Sequence, residues 1–472
     1  MNWILNYIFI IGRGDGNMRK ITHVSRYRIL PFALALLISI LVSGCNSSIE
    51  VNEEHEANIT KEAEEAVEVK TTIETEETQD SVTPTQENSN TIKIYISADR
   101  TVSKSSGISI EQGVRTALDE IQYKIHGQDI EVVILDHRGS SPRAKQHLDE
   151  YLSDDQALVI FSGLHSPPIL EHRDFINENE ILLLDPWAAA GPITRYPSEQ
   201  NWIFRLSIDD TKAGHVIVNH LLSEGYEKPY LILEDTGWGR SNHSTMSTAL
   251  NDVDKQAIGV SWFNWSIGIN QAKYILREAN ETGADSIIFV GNSPEGKVFA
   301  KAMSELSEDQ RLPIRSHWGI TGGDFPEVIN AEIRKTIDIE FLQTRFSFLN
   351  IEGNQDAIDV LARVKRLYPE QIKTAQDIEA PTGFIHSYDL TKIMISALNQ
   401  VDENTTVIEK RSQLRKSLEE LEQPVQGLLK TYEKPFSTFS ENNLDAHEAL
   451  GQEDLIMAYY GENNEIILDE DH

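Results

Sequence analysis

The sequence predicts an α/β protein made of two doubly wound parallel-sheet units. Three observations carry that prediction. From residue 92 onward, short β-branched apolar runs alternate with stretches whose apolar residues recur at helical spacing. The strand runs are almost continuously apolar, as strands covered on both faces are. The strand–helix series then restarts near residue 213, so the chain builds two similar units.

In order, the first unit reads as strand 92–98, helix 107–125, strand 130–136, helix 142–153, strand 157–163, helix 167–177 and strand 180–186. The second reads as helix 213–224, strand 229–236, helix 241–252, strand 259–265, helix 270–282, strand 285–292, helix 295–306, strand 313–319 and a strand region at 335–346. Helices are expected at 354–367 and 384–399, then from Lys410 to about Glu422, followed by a loop at Lys434 to Ser437 and a strand at Asp454 to Tyr459. The expected units are a first lobe at 92–212, a second at 213–345 and a closing segment at 346–472. Ligands of such sheets sit beyond the carboxyl ends of the strands, so the gap between two facing units is the expected site.

Composition bounds the rest. The chain has 472 residues, with 42 Lys+Arg against 75 Asp+Glu and a formal net charge of -33. That balance argues against nucleic acid, whose phosphates need a clustered cationic surface. Hydrophobic residues make up 40%, enough for a core. A single cysteine rules out an intrachain disulfide and any Cys-rich metal site.

Residues 29–44 are sixteen uncharged, mostly apolar residues led by Arg19, Lys20, Arg26 and Arg28. A cationic lead, an apolar stretch and small residues before a break describe a secretory signal, expected over 1–44. The break Leu41-Val42-Ser43-Gly44-Cys45 resembles a bacterial lipoprotein signal, which implies cleavage before Cys45 and lipid, palmitate included, on its sulfur. Met18 opens a complete signal by itself, so 1–17 reads as an extension from a misplaced start codon. Residues 46–91 hold thirteen Asp/Glu against two Lys and no Phe, Tyr or Trp. Such a segment buries too little to offset its chain entropy and reads as a disordered, self-repelling tether over 45–91.

Catalytic and metal chemistry find little support. His165, His317 and His386 fall near strand ends or loops, but no HExxH or close ligand pair is present. Neither a G-x-S-x-G elbow nor a GxxxxGK[ST] loop appears. The expectation is a protein with no metal, no cofactor and no catalysis.

Several stretches then fall in a telling order. These are Ser106-Gly107 with Gly113 to Leu118; Asp136, Pro142 and Ala144; Gly163 to Ser166; Asp185-Pro186-Trp187-Ala188-Ala189-Ala190 running to Thr194; Phe204-Arg205 with Asp209-Asp210; and Glu234 to Gly239. In that order the sequence resembles the type I periplasmic binding proteins of the branched-chain amino-acid receptor kind, over roughly 92–400. The resemblance implies two hinged lobes. It implies ligand contacts at Ser166 and at Ala188 and Ala189, with Ser106 as a further candidate. Trp238 takes the place of a flanking aromatic, and Asn292 and Ser293 follow the next strand. At His317 and Trp318 the family's ammonium-binding carboxylate is missing, and Ala189 lacks the family's hydroxyl; both departures point away from an α-amino acid. Trp187 replaces a glycine and should narrow or cap the cleft. Hydroxyls and backbone N–H groups near helix starts suit an anion, and tryptophan walls suit a planar, sugar-like or cationic guest.

The function implied is an extracytoplasmic, membrane-anchored receptor that hands a small molecule to an ABC permease. The rival outputs are a membrane sensor kinase or chemoreceptor that reads the closed form, or activation of a cell-wall synthase without transport.

Overall fold

The computed structural model of the protein describes residues 91–470, so the signal, Cys45 and the acidic tether lie outside the described residues. The first lobe opens with β1 (Thr91–Ala98), α1 (Lys104–Glu120), β2 (Lys124–Ile125), β3 (Gln128–Asp136) and α2 (Ser141–Ser153). It continues through β4 (Ala157–Gly163), α3 (Ser166–Glu178), β5 (Leu183–Asp185) and β6 (Ile203–Arg205). The sheet order is β2-β3-β1-β4-β5-β6, parallel except for the antiparallel β2–β3 hairpin.

The second lobe runs through α4 (Asp210–Ser223), β7 (Pro229–Glu234), α5 (Gly237–Asn251), β8 (Gly259–Phe263), α6 (Ile269–Glu281), β9 (Ser286–Val290) and α7 (Ser293–Ser304). It goes on to β10 (Ile314–Ser316), the short helices α8 (Phe325–Val328) and α9 (Ala331–Arg334), and β11 (Ile339–Thr344). The chain then returns as α10 (Gln355–Leu367), α11 (Pro381–Leu398), α12 (Val407–Glu419) and the strand pair β12 (Val425–Gln426) and β13 (Thr431–Tyr432). It ends in β14 (Leu455–Tyr460) and β15 (Ile466–Leu468), which complete a sheet ordered β15-β14-β11-β10-β9-β7-β8.

The returning helices belong to the first lobe. Ser387 Oγ on α11 donates to the Ile110 carbonyl of α1 at 3.0 Å, and Arg411 Nε on α12 donates to the Ala157 carbonyl of β4 at 2.7 Å. The chain therefore crosses between sheets three times: after β6, after β11 and before β14. The crossings are tied to one another. Ala449 N donates to Arg205 O at 3.0 Å, and Arg345 N donates to Asp454 O at 2.8 Å. A buried ion cluster sits at the first and third. Arg205 is fully buried; its Nε lies 2.9 Å from Glu448 Oε2 and its Nη2 3.0 Å from Asp209 Oδ1. Its remaining nitrogen donates to the carbonyls of Ala188 and Ala190 at 3.0 and 2.9 Å. That satisfaction of every charge and donor is what permits burial.

The alternation reads correctly from sequence, while several boundaries move for identifiable reasons. The helix expected at 107–125 stops at Glu120, because Gln122, Tyr123, His126 and Gly127 all take positive φ and turn the chain into the β2–β3 hairpin. The strand expected from residue 180 starts at Leu183; Glu180 sits at φ +56°, outside strand geometry. The strand region expected from 335 begins only at Ile339, because Lys335, Thr336 and Ile337 donate back to the carbonyls of helix α9. Strand β6, three residues long, is too short for any period to reveal.

Candidate functional site

In each sheet one strand starts the winding in both directions: β1 lies between β3 and β4, and β7 between β8 and β9. Those are the switch points where neighbouring loops diverge and leave a crevice. The loops at these carboxyl ends, with those after β5 and β10, face each other across the lobes. They and the helix starts that follow them carry every ligand-contact residue expected from sequence. Ser106, Ser166, Trp187, Ala188, Ala189, Trp238, Asn292, Ser293, His317 and Trp318 are all buried.

The two walls touch. The Trp187 and Trp318 indoles stack with centroids 4.6 Å apart and planes 21° apart, each 1% exposed. Ser106 Oγ on α1 donates to the Gly322 carbonyl of the opposite lobe. Glycines make room along this seam. A Cβ at Gly383 on α11 would overlap the six-membered ring of Trp187, and one at Gly322 would press on Ser106 Oγ and Leu164. One apolar cluster therefore takes in residues of both lobes, from Ile96 and Phe161 to Leu233 and Val290.

The first lobe's wall ties its loop down from within the lobe, while Asp185 Oδ2 and His386 Nε2 stay buried without a partner. Asp185 Oδ1 accepts the N–H groups of Trp187 and Ala188 at 3.0 and 2.8 Å, and Ser166 Oγ accepts the Ala190 N–H at 3.1 Å. Ser207 Oγ donates to the Trp187 carbonyl at 2.8 Å, and His386 Nδ1 lies 3.1 Å from the Pro186 carbonyl. Burial holds His386 down at about 3, so it is neutral and Nδ1 carries the proton. Burial also pushes Asp185 up to about 7, against the pull of Arg205. The N–H of Ala188 and the hydroxyl of Ser166 are thus engaged within the lobe.

The second lobe's wall also holds unpartnered polar atoms. Asp210 opens α4, one residue past the capping Asp209, and so turns into the cleft. Its Oδ1 accepts the Trp238 indole N–H at 3.1 Å and lies 3.1 Å from His317 Nε2, while its Oδ2 is buried without a partner. Ser293 Oγ is likewise buried and unpartnered. Glu234, fully buried at the end of β7, accepts from Thr236 Oγ1 at 2.6 Å and from Trp265 Nε1 and Asn292 Nδ2 at 3.3 Å each. Burial pushes its carboxyl up to about 7. At the rim, His165 Nε2 lies 2.9 Å from Asp99 Oδ2, and the His165 ring packs 5.5 Å from Trp265 of the other lobe. Burial would raise Asp99, but the hydrogen bond and charge of His165 bring it down to about 2.

Glu234, Asp210, Asp99 and Trp265 are the site residues that sequence reasoning did not nominate. Sequence shows no carboxylate at 317–318; the fold supplies one from Asp210, more than a hundred positions earlier. The signal was present in the Asp209-Asp210 pair, since one acid caps the helix and the second has no local task. Metal ligation has one candidate among the described residues, His220 with Glu224 and Glu340. Arg315 enters that cluster, with Nε 2.6 Å from Glu224 Oε2, and supplies the positive charge itself.

A family model described as periplasmic binding protein matches residues 91–427. No curated protein sequence matches the chain. Among solved structures, it is similar to a type 1 periplasmic binding protein of Bordetella pertussis Tohama I, with a TM-score of 0.65 and 16% identity over 80% of this chain and 99% of that one. A solute-binding protein of an ABC transporter from Rhodopseudomonas palustris HaA2, in complex with p-hydroxybenzoic acid, gives a TM-score of 0.65 and 14% identity, covering 80% and 95%. A leucine-binding protein from Thermotoga maritima MSB8 gives 0.60 and 15%, covering 80% and 97%. At these identities the likeness is one of fold. With the family match spanning most of the described residues, the chain belongs to the type I periplasmic binding protein family.

Proposed function

We propose that the protein is an extracytoplasmic, lipid-anchored solute receptor whose two lobes part, admit a small ligand between them and close on it for presentation to an ABC-type permease. The anchor would be Cys45, which lies outside the described residues. No helix among the described residues is long and apolar enough to cross a membrane. The observation that carries the reading is the convergence of loops from both switch points on one buried interlobe region bounded by three crossings. The closed lobes are one end of a hinge motion, and a guest that binds between them shifts its population.

The guest must displace the Trp187–Trp318 stack or insert beside it, so a planar ring that replaces one indole face is the best fit. Asp210 and Ser293 offer it polar partners on the second lobe. The aromatic acid bound by the Rhodopseudomonas neighbour makes substituted benzoates sensible first probes, beside amino acids and sugars.

The stack also favours a second reading. A cleft filled by its own tryptophans needs no guest to close, which suits a lipoprotein that docks on a membrane sensor or cell-wall synthase. Thermal denaturation against a ligand panel separates the two, because a ligand at a hundred times its Kd adds about 2.7 kcal/mol. A panel that leaves both melting temperature and solution radius unmoved defeats the receptor reading.

A further inference from the structure

A separate groove opens on the flank of the closed cleft, beside the second crossing. It has a volume of about 800 Å³ including its open mouth. One wall comes from the Phe346–Leu349 loop and the residues leading into α11, and the other from the β14–β15 hairpin and Pro326–Glu327. Both lobes therefore line it. At its inner end stands Gln343, the penultimate residue of β11 and 3% exposed. The Gln343 Oε1 accepts from Thr382 Oγ1 at the start of α11, while its Nε2 is buried with no hydrogen-bond partner. An amide donor left unmet there costs free energy until an acceptor arrives.

The rest of the lining describes what would bring that acceptor. Phe346 offers ring surface, whereas Tyr460 stacks on Phe325 and holds the Arg334 guanidinium 5.8 Å from its ring centre; Glu327, Glu379 and Glu465 stand around the opening with no Lys or Arg among the lining residues. None of the three glutamates forms an ion pair among the described residues. The nearby guanidinium, Arg334, spends its donors on the carbonyls of Pro326, Ile329 and Gly461 and on Asn464 Oδ1. With those donors spent, an anion finds no free hydrogen-bond donor on Arg334 and faces three carboxylates against one cation. A cation gains from the glutamates and from the Phe346 ring face.

We propose that this groove is a second binding site, for a small organic cation that carries a hydroxyl or carbonyl oxygen. The oxygen accepts the Gln343 Nε2 hydrogen, and the cationic end lies against the Phe346 ring among the three glutamates. Because its walls belong to both lobes, occupancy also biases their arrangement. The site stands apart from the Trp187–Trp318 cleft and does not rest on what that cleft binds.

Calorimetric titration of the full chain with choline and acetylcholine tests this, with the uncharged choline isostere 3,3-dimethylbutan-1-ol as control. Saturable binding is expected for the cations, with the isostere about tenfold weaker. Gln343→Leu should weaken the cations by about tenfold. Glu379→Gln, on an exposed side chain whose loss leaves the fold intact, should weaken them severalfold and flatten their salt dependence. The proposal is overturned by absence of saturable binding at up to about 50 mM of either cation, a ligand concentration matching very weak affinity. It is equally overturned if Glu379→Gln and Gln343→Leu bind as the parent does while Trp238→Ala loses binding, which would put the cation in the cleft.

Discussion

The two walls of the cleft are built from equivalent loops and are wired differently. On the first lobe, Asp185, Ser166, Ser207 and Arg205 engage the Trp187–Ala190 loop from several sides. On the second, Asp210, Ser293 and Glu234 are buried with an open valence or a raised pKa. The first jaw's loop is thus held from within its own lobe, yet Asp185 Oδ2 and His386 Nε2 are buried there without a partner too, so a guest or a change of pH can address both jaws. Sheet topology alone would have predicted equal walls.

Arg205→Met attacks the fixed jaw most directly. It strands Glu448 and Asp209 without their shared cation and frees the carbonyls of Ala188 and Ala190. Urea titration should show a loss of about 4 kcal/mol, the size of an uncompensated buried charge. A loss near zero would show that Arg195 and Lys212, which also contact Asp209, carry the cluster by themselves.

Trp187→Ala removes the side chain that bridges the jaws. A loss of about 3 kcal/mol is expected, with a rise in solution radius as the lobes part. An unchanged radius would mean that Ser106 and the crossings hold closure by themselves.

The buried acids of both jaws should show themselves in pH. Glu234 is raised from 4.5 to about 7 in the folded state. Between those values the folded protein binds the proton that the unfolded chain has released, so stability falls as pH rises through this window and levels off above it. The contribution is about 3 kcal/mol at most. Asp185, raised from 3.8 to about 7, adds in the same direction. Glu234→Gln should flatten the slope by its own share, and a parent slope of zero would deny the buried acid. Ser106→Ala, which deletes one hydrogen bond between the jaws, is the mildest break, at about 1 kcal/mol. Away from the cleft, Cys45→Ser should release the protein from membranes, as fractionation would read; continued membrane association would favour an uncut amino-terminal anchor.

The fold was legible because buried parallel strands such as Ala157–Gly163 and Ser286–Val290 must be apolar on both faces, a pattern that survives without homologues. The site was legible in its loops, since topology places the carboxyl ends of β4, β5, β7 and β10 together. What sequence could not give was pairing at long range. That Trp187 meets Trp318, that Gly383 yields space to an indole from another element, and that Asp210 faces His317 are facts of register between lobes. No local period encodes them. The positive-φ turn at Gln122–Tyr123 was missed because neither residue type announces such a backbone.

The three crossings have a consequence for how the molecule comes to exist. Neither lobe is continuous in the chain: the first awaits α11 and α12, and the second awaits β14 and β15. A nascent polypeptide halted at Thr344 would leave β11 with an unpaired edge and α1 with its apolar face uncovered. Folding one half before the other is thus discouraged, and residues 381–470 stitch both halves in a late, long-range step of the slow kind that high contact order imposes.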